Sequence, residues 1–234
     1  MEYQERAGLV AHAPPDARAG FIRRTYAHLA FAVLGLIALE YVLLSLPGIE
    51  DLASLMTGGY NWLIVLGLFM VVSWIADRMA RSSVSQGVQY AGLALYVAAQ
   101  AVLFVPLLFV AGYLVDDPTL VPTAAIITGT LFAGLTTVAF VTRTDFSFLR
   151  GVLIIGGFVA LGLIVASILF GFTLGLIFSV VMVGFASAAI LYYTSNVIHH
   201  YRTDQYVAAS VTLFASVALL FWYVLQILIS LRRE

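Results

Sequence analysis

Seven apolar stretches follow one another along the chain, and short polar segments separate them. A bilayer core about 30 Å thick is crossed by about 20 helical residues, and each stretch meets or approaches that length. The stretches comprise residues 25–46, 61–76, 88–114, 120–142, 151–170, 174–199 and 206–231. Helices are required because lipid offers no partner to unpaired backbone N–H and C=O groups. The pattern therefore predicts an all-α membrane protein, folded as a bundle of seven transmembrane helices.

The residues before the first span differ in character from the rest of the chain. Residues 1–20 contain Pro14 and Pro15, scattered charges and no apolar run. This composition predicts a mobile cytoplasmic tail, followed by a single transmembrane domain over residues 21–234. The first apolar stretch, at about 22 residues, is longer than the roughly 7–15 residues of a signal-peptide core, so we interpret it as a span.

The distribution of positive charge predicts the orientation of the bundle. All 11 basic residues are Arg, with four before the first span, two after the second, two after the fourth and one after the sixth. The loops on the opposite side contain none, so the positive-inside rule places the N-terminus in the cytoplasm. Arg232 and Arg233 do not fit a C-terminus outside. Either this terminal pair is tolerated, or the last segment re-enters the membrane and returns.

Composition excludes several classes of function. The chain is 62% hydrophobic and 10% charged, with a net charge of −1, whereas soluble domains contain about 25% charged residues. No basic face is available for nucleic acid. Cys and Lys are both absent, which excludes thiol chemistry and a Ser–Lys dyad. Without a catalytic or metal-binding motif, we expect neither an enzyme nor a cofactor.

Three local motifs, spread from the first span to the last, identify a family resemblance. Residues 21–30 read Phe-Ile-Arg-Arg-Thr-Tyr-Ala-His-Leu-Ala, and residues 144–149 read Thr-Asp-Phe-Ser-Phe-Leu. Residues 190–196 read Ile-Leu-Tyr-Tyr-Thr-Ser-Asn, followed by Tyr201 and by Thr-Asp-Gln-Tyr-Val-Ala-Ala at 203–209. In their order and spacing, these motifs resemble the Bax inhibitor-1 family of multi-span membrane proteins.

The resemblance implies a fold and a range of functions. It implies a bundle whose last helix lies centrally, wrapped by the other six. It further implies calcium or proton leak, protection from cell death in eukaryotes, and modulation of a membrane-bound protease in bacteria. Leak-forming members use a pair of aspartates on the last two helices as a pH-sensitive latch. In this sequence Tyr193 and Ser216 stand at or beside those positions, so such a latch cannot operate here.

Glu40 is the only acidic residue well inside an apolar stretch. Counting about 1.5 Å per residue from Thr25 places it roughly 22 Å along the first helix. A carboxyl group at such a depth is costly and points to function, for example proton or cation binding. The alternative is a structural Glu, hydrogen-bonded to a neighbouring helix. Tyr223 lies at comparable depth on the last helix and is the partner that we predict.

Further polar residues define a candidate ion path. Gln100 and Ser216 lie near the predicted midplane. The amide of Gln100 must find partners in a dry bundle or line a wet cavity. At the end of the sixth span Tyr193, Asn196 and His200 share one helix face. They form either a pH-responsive gate or an ordinary polar helix end that meets the lipid headgroups.

These observations lead to one main interpretation and one alternative. The main interpretation is an integral membrane protein of the bacterial inner membrane with a slow calcium or proton leak through a polar path. The alternative is a non-conducting interaction protein that modulates a membrane protease. The candidate partners are thus the lipid bilayer, a membrane protease, and calcium ions or protons as the permeant species. If the last helix is central, Ala209, Ser216 and Leu220 will all be enclosed.

Overall fold

The computed structural model describes residues 9–115 and 117–233, and they form a bundle of long helices. In chain order the helices are α1 (Pro15–Leu44), α2 (Ile49–Thr57), α3 (Asn61–Ala80), α4 (Gln86–Phe109), α5 (Leu120–Thr142), α6 (Leu149–Phe170), α7 (Gly175–His199) and α8 (Tyr206–Arg233). A 3₁₀ turn at Val10–His12 precedes α1, and a π-helical turn at Val110–Leu114 extends α4. Among these residues, seven helices are long and apolar enough to cross a membrane, which confirms the predicted fold class.

Helix α2 is the one helix of the eight described that does not span the membrane, and its length and sequence explain why. The nine residues of α2 are too few to cross a bilayer, and Glu50 and Asp51 in its first turn favour the helix N-terminus. Ile49 and Ala53 on its buried face pack with Val105 of α4. This short helix therefore covers the α1–α3 connection at one end of the bundle.

Helix α1 begins at Pro15, within the segment that the sequence assigns to the tail. Pro15 occupies the first turn, where a missing N–H is tolerated, so the helix includes residues 15–20. Val10 is fully buried, and its N–H donates to the carbonyl of Tyr201 (2.9 Å). The described part of the predicted tail is thus held against the α7–α8 loop, and residues 1–8 lie outside the described residues.

The last helix is the most enclosed of the seven spans. It packs against α1, α3, α4, α5 and α7. Ala209, Ser216 and Leu220 are at most 3% exposed, as predicted for a central helix. In contrast, α6 packs chiefly against α7, and Ala160 is its only buried residue. Five helices thus surround α8 directly, and α6 stands to one side.

The two Arg residues at the C-terminus do not require a re-entrant segment. One continuous helix extends from Tyr206 to Arg233. Arg232 Nη2 lies 3.0 Å from Asp117 Oδ2 in the α4–α5 loop. Hydrogen bonds from Thr119, together with the charge of Arg232, lower the pKa of Asp117 and keep it ionised. The terminal charge is therefore partly neutralised at this end of the bundle, here called the far end. The end with Arg81, Arg143 and Arg150 is called the basic end.

Candidate functional site

A long crevice of about 1320 Å³ runs along α8 between two groups of helices. Residues of α3 and α4 form one wall, residues of α6 and α7 form the other, and α8 forms the floor. Neither α1 nor α5 contributes a residue to it. The crevice exists because α6 packs against α7 and leaves a gap toward α3 and α4. It extends from Arg81 and His200 at the basic end to Gln226 and Ser230 at the far end.

Six of the seven candidate residues from the sequence line this one crevice. Tyr193, Asn196 and His200 lie at its basic end, on α7 and in the turn after it. Gln100 and Ser216 lie in its middle, on α4 and α8, and Tyr223 lies nearer the far end. Glu40 on α1 does not line it.

Several polar groups in the crevice have no protein partner. The amides of Gln100 and Asn196 and the hydroxyls of Tyr193 and Tyr223 make no hydrogen bond with any other described side chain or backbone group. None of the four is among the sealed buried polar groups, so their polar atoms reach the open space of the crevice. A polar group in an apolar bundle needs a hydrogen-bond partner. These four groups are therefore available to hydrogen-bond water or another polar molecule that enters the crevice.

Other groups along the crevice are held by protein contacts. The hydroxyl of Ser216 donates to the carbonyl of Thr212 (2.9 Å), and the hydroxyl of Ser179 donates to Gln226 Oε1 (3.2 Å). Toward the far end, the rings of Trp62 and Trp222 stack with their centroids 6.0 Å apart. These contacts fix the floor and the walls of the crevice.

The charges in the crevice are all basic. Among the described residues its lining includes Arg81, Arg150 and His200 and no carboxylate. Arg81 Nε pairs with both carboxylate oxygens of Asp77 (2.8 and 2.9 Å), one helical turn earlier on α3. A site for Ca²⁺ normally offers several carboxylate or carbonyl oxygens. The lining therefore lacks the ligand type on which calcium binding depends.

The loop that contains the Asp-Phe-Ser-Phe motif lies at the basic end of the crevice, where Ser147 contributes to the lining. The N–H of Phe146 donates to Ser195 Oγ on α7 (3.0 Å). His200 Nε2 lies 3.2 Å from both carboxylate oxygens of Asp145. The loop is thus attached to the end of α7 by one neutral and one titratable contact.

The contact between Asp145 and His200 depends on pH. Burial opposes the ionisation of Asp145, but hydrogen bonds from His200 and Ser147 outweigh it and lower the pKa of this carboxyl group. The contribution of the contact to stability is present above the ordinary Asp pKa of about 3.9 and is lost as the pH falls through the lower folded value. Because both side chains are nearly half exposed, this contribution is small.

The sequence did not identify every residue of the crevice. The sequence places Arg81 and Arg150 in loops, and it does not indicate that Tyr96 and Tyr201 belong to the path. Tyr201 has its hydroxyl 3.0 Å from Thr212 Oγ1 in the buried interior. For Arg81 the sequence does contain a signal. Asp77 stands four residues before it, which is the spacing of an ion pair on one helix, and α3 indeed continues to Ala80.

Glu40 lies in a different part of the bundle from its predicted partner. It is 6% exposed, and neither carboxyl oxygen has a hydrogen-bond partner among the described residues. Leu36 and Leu44, one turn before and after it, pack against the apolar cluster of α4, α5, α7 and α8. Tyr223 instead packs against Phe178 of α7, with ring centroids 5.9 Å apart. The predicted hydrogen bond between Glu40 and Tyr223 is therefore wrong, because equal depth on two helices does not place side chains on facing surfaces.

Replacing Glu40 with Leu is expected to stabilise the protein. An unpaired polar group in an apolar surrounding costs about 1–3 kcal/mol, and a Leu would match the apolar residues one turn away on either side. The measurement is the midpoint of thermal unfolding in detergent, with Glu40→Gln as the matched control, since its amide remains equally unpaired. A lower midpoint for Glu40→Leu than for both other proteins would show that the carboxyl group has a stabilising partner.

These features define a class of protein: a small, all-helical integral membrane protein whose polar side chains converge on one crevice beside a central last helix. The sequence model of the family described as "Inhibitor of apoptosis-promoting Bax1" matches residues 18–233. The chain therefore belongs to this family, the Bax inhibitor-1 family. An uncharacterised protein of Pseudomonas aeruginosa is 38% identical over 110 residues, and the matched region spans 47% of this chain and about half (49%) of that relative.

Proposed function

We propose that this protein is a slow proton leak whose path is the crevice along α8. The observation that supports the proposal is the row of polar groups without protein partners, from Asn196 and Tyr193 through Gln100 to Tyr223. Such groups hold water, and a chain of water and hydroxyl groups relays protons. Family membership is consistent with a leak across a membrane.

Protons fit the crevice better than calcium, the other ion that the family resemblance implies. Arg81 is paired with Asp77, but Arg150 has no ion-pair partner among the described residues and repels a divalent cation at the basic end. No described lining residue supplies a carboxylate. A proton can pass through water and hydroxyl groups without a carboxylate cage. His200 stands where the path meets the basic end.

We place the basic end in the cytoplasm of a bacterium, with the protein in the inner membrane. Nine Arg residues lie either before the first span or in the loops after the second, fourth and sixth spans, and the opposite loops contain none. By the positive-inside rule, the side with these nine residues is cytoplasmic. Protons driven inward would then pass Tyr223 before Gln100 and leave beside His200.

Purified protein in vesicles tests the proposal. Vesicles that enclose a pH-sensitive dye are expected to show proton flux above that of empty vesicles, whereas vesicles with a calcium-sensitive dye are expected to match empty ones. Glu40→Gln is expected to conduct protons like the wild type, because Glu40 lies outside the crevice. A reduced proton flux in Glu40→Gln would show that the proton path passes Glu40 on α1, which contradicts a path through the crevice.

An absence of proton and calcium flux in folded, reconstituted protein would overturn the leak. It would favour the alternative, a non-conducting protein that modulates a membrane-bound protease. Calcium flux without proton flux would equally contradict the proposal.

A further inference from the structure

The crevice is open toward the bilayer along one side. Helix α6 forms one wall but packs chiefly against α7, and only Ala160 of its 22 residues is buried. The opposite wall belongs to α3, where only Ala76 and Ala80 are buried. A space of about 1320 Å³ between two such helices is larger than the roughly 300–1,000 Å³ of most small-molecule pockets. In a membrane, lipid is the molecule that reaches such an opening.

The walls of the opening suit an acyl chain. Leu66 and Phe69 of α3 line one side, and Leu153, Ile154 and Ile164 of α6 line the other. These side chains offer only apolar surface, and they lie on the outer walls rather than on the floor formed by α8. A chain that covers them would close the side of the crevice and leave the polar groups of the floor facing inward.

The basic end of the opening suits an anionic headgroup. Arg81 follows the last turn of α3, and Arg150 lies in the first turn of α6, so the two guanidinium groups approach the crevice from opposite walls. Arg150 has no ion-pair partner in the part of the chain that the structure describes. The positive end of the α6 dipole and the hydroxyl of Ser147 lie beside it. Guanidinium groups match phosphate oxygens in geometry and charge.

We propose that an anionic phospholipid of the leaflet at the basic end binds in the crevice, with its phosphate between Arg81 and Arg150 and an acyl chain along α3 and α6. Basic pockets between transmembrane helices are known to bind anionic headgroups. The site requires neither Glu40 nor a conducting path, so it goes beyond the proposed leak and is tested by binding alone.

Native mass spectrometry of the full-length protein tests the site. Delipidated protein in detergent is titrated with phosphatidylglycerol and, separately, with zwitterionic phosphatidylcholine of the same chains. We expect a single phosphatidylglycerol to bind more tightly than phosphatidylcholine. In Arg81→Gln/Arg150→Gln the affinity for phosphatidylglycerol is expected to fall roughly thirtyfold, the change that two basic residues at an anionic membrane surface supply.

The matched control removes the same charge at the same end of the bundle. Arg23→Gln/Arg78→Gln loses two Arg residues that do not line the crevice, and the guanidinium of Arg78 lies over the ring of Trp74. This variant is expected to bind phosphatidylglycerol like the wild type. An equal loss in both double variants would show that the lipid responds to overall charge, which contradicts a specific site. Unchanged affinity in Arg81→Gln/Arg150→Gln would do the same.

A second measurement locates the lipid without changing the protein. Phosphatidylglycerol with a photoreactive group on its acyl chain is expected to label residues near Phe69 of α3 and Leu153 or Ile154 of α6. Labels confined to outward-facing residues such as Phe158 or Ile177, which are 73% and 81% exposed, would overturn the proposal.

Discussion

Gly92→Ala is expected to be the most destabilising single-methyl change in the bundle. A Cβ atom at Gly92 of α4 would lie 2.6 Å from the carbonyl oxygen of Ala76 and 2.7 Å from the backbone nitrogen of Ala80, both on α3. Backbone atoms cannot turn aside as a flexible side chain can, so the α3–α4 pair must separate. Overpacking costs typically 1–3 kcal/mol, and we expect a loss of about 3 kcal/mol.

The midpoint of thermal unfolding in detergent measures this loss. Gly67→Ala is the matched control, since Gly67 also lies in this helix pair, on α3, and a Cβ there meets no atom within 4 Å. The control is expected to unfold at the wild-type temperature or slightly above it, because Ala favours a helix over Gly. Equal midpoints for Gly92→Ala and Gly67→Ala would show that α3 and α4 are not in such close contact.

Gln100→Leu is expected to have the largest effect on the proposed proton leak. Gln100 is the only amide in the middle of the described lining, and its polar atoms face the crevice without a protein partner. Leu has a similar size but cannot hold water there. Loss of one hydrogen bond worth about 1.4 kcal/mol at the barrier reduces a rate roughly tenfold, and we expect a reduction of that order.

Proton flux into dye-loaded vesicles, normalised to the amount of inserted protein, is the measurement. Thr128→Val is the matched control: it also replaces a buried polar side chain by an apolar one of similar shape, but Thr128 lies on α5 outside the crevice. Its flux is expected to equal that of the wild type. Wild-type flux in Gln100→Leu would exclude the crevice as the path, and an equal loss in both variants would point to a general effect on the bundle.

The residues of the candidate site could be selected from the sequence because polar side chains are rare in apolar spans. Gln100, Tyr193 and Ser216 were found in this way, and the structure places all three in one crevice. The same reasoning could not assign Glu40 to its neighbours. The depth of a residue in the membrane follows from the rise of about 1.5 Å per residue. Which side chains it contacts depends also on which helix lies beside its face. Chain order does not state which helices are adjacent.

The basic residues of the crevice illustrate the same limit. Arg81 and Arg150 belong to loops or helix ends that are about 70 residues apart in the chain. Counting them predicted an orientation, because the positive-inside rule needs only their number on each side. Arg81 and Arg150 line the same opening because α6 packs against α7 and stands apart from α3.

The seven helical spans follow from the amino-acid sequence alone. Lipid cannot satisfy backbone polar groups, so each long apolar run has a single possible secondary structure. The sequence also determined that the last helix, rich in Ala with small hydroxyl residues, is suited to close contact on many sides. The packing of the helices, in contrast, sets α6 apart and leaves a crevice. It also places Glu40 beside an apolar cluster and not beside Tyr223. The apolar faces of such helices are nearly alike, so hydrophobicity does not decide which helices pair. Their pairing depends on close packing at particular positions, for example where the backbone of α3 approaches Gly92 of α4.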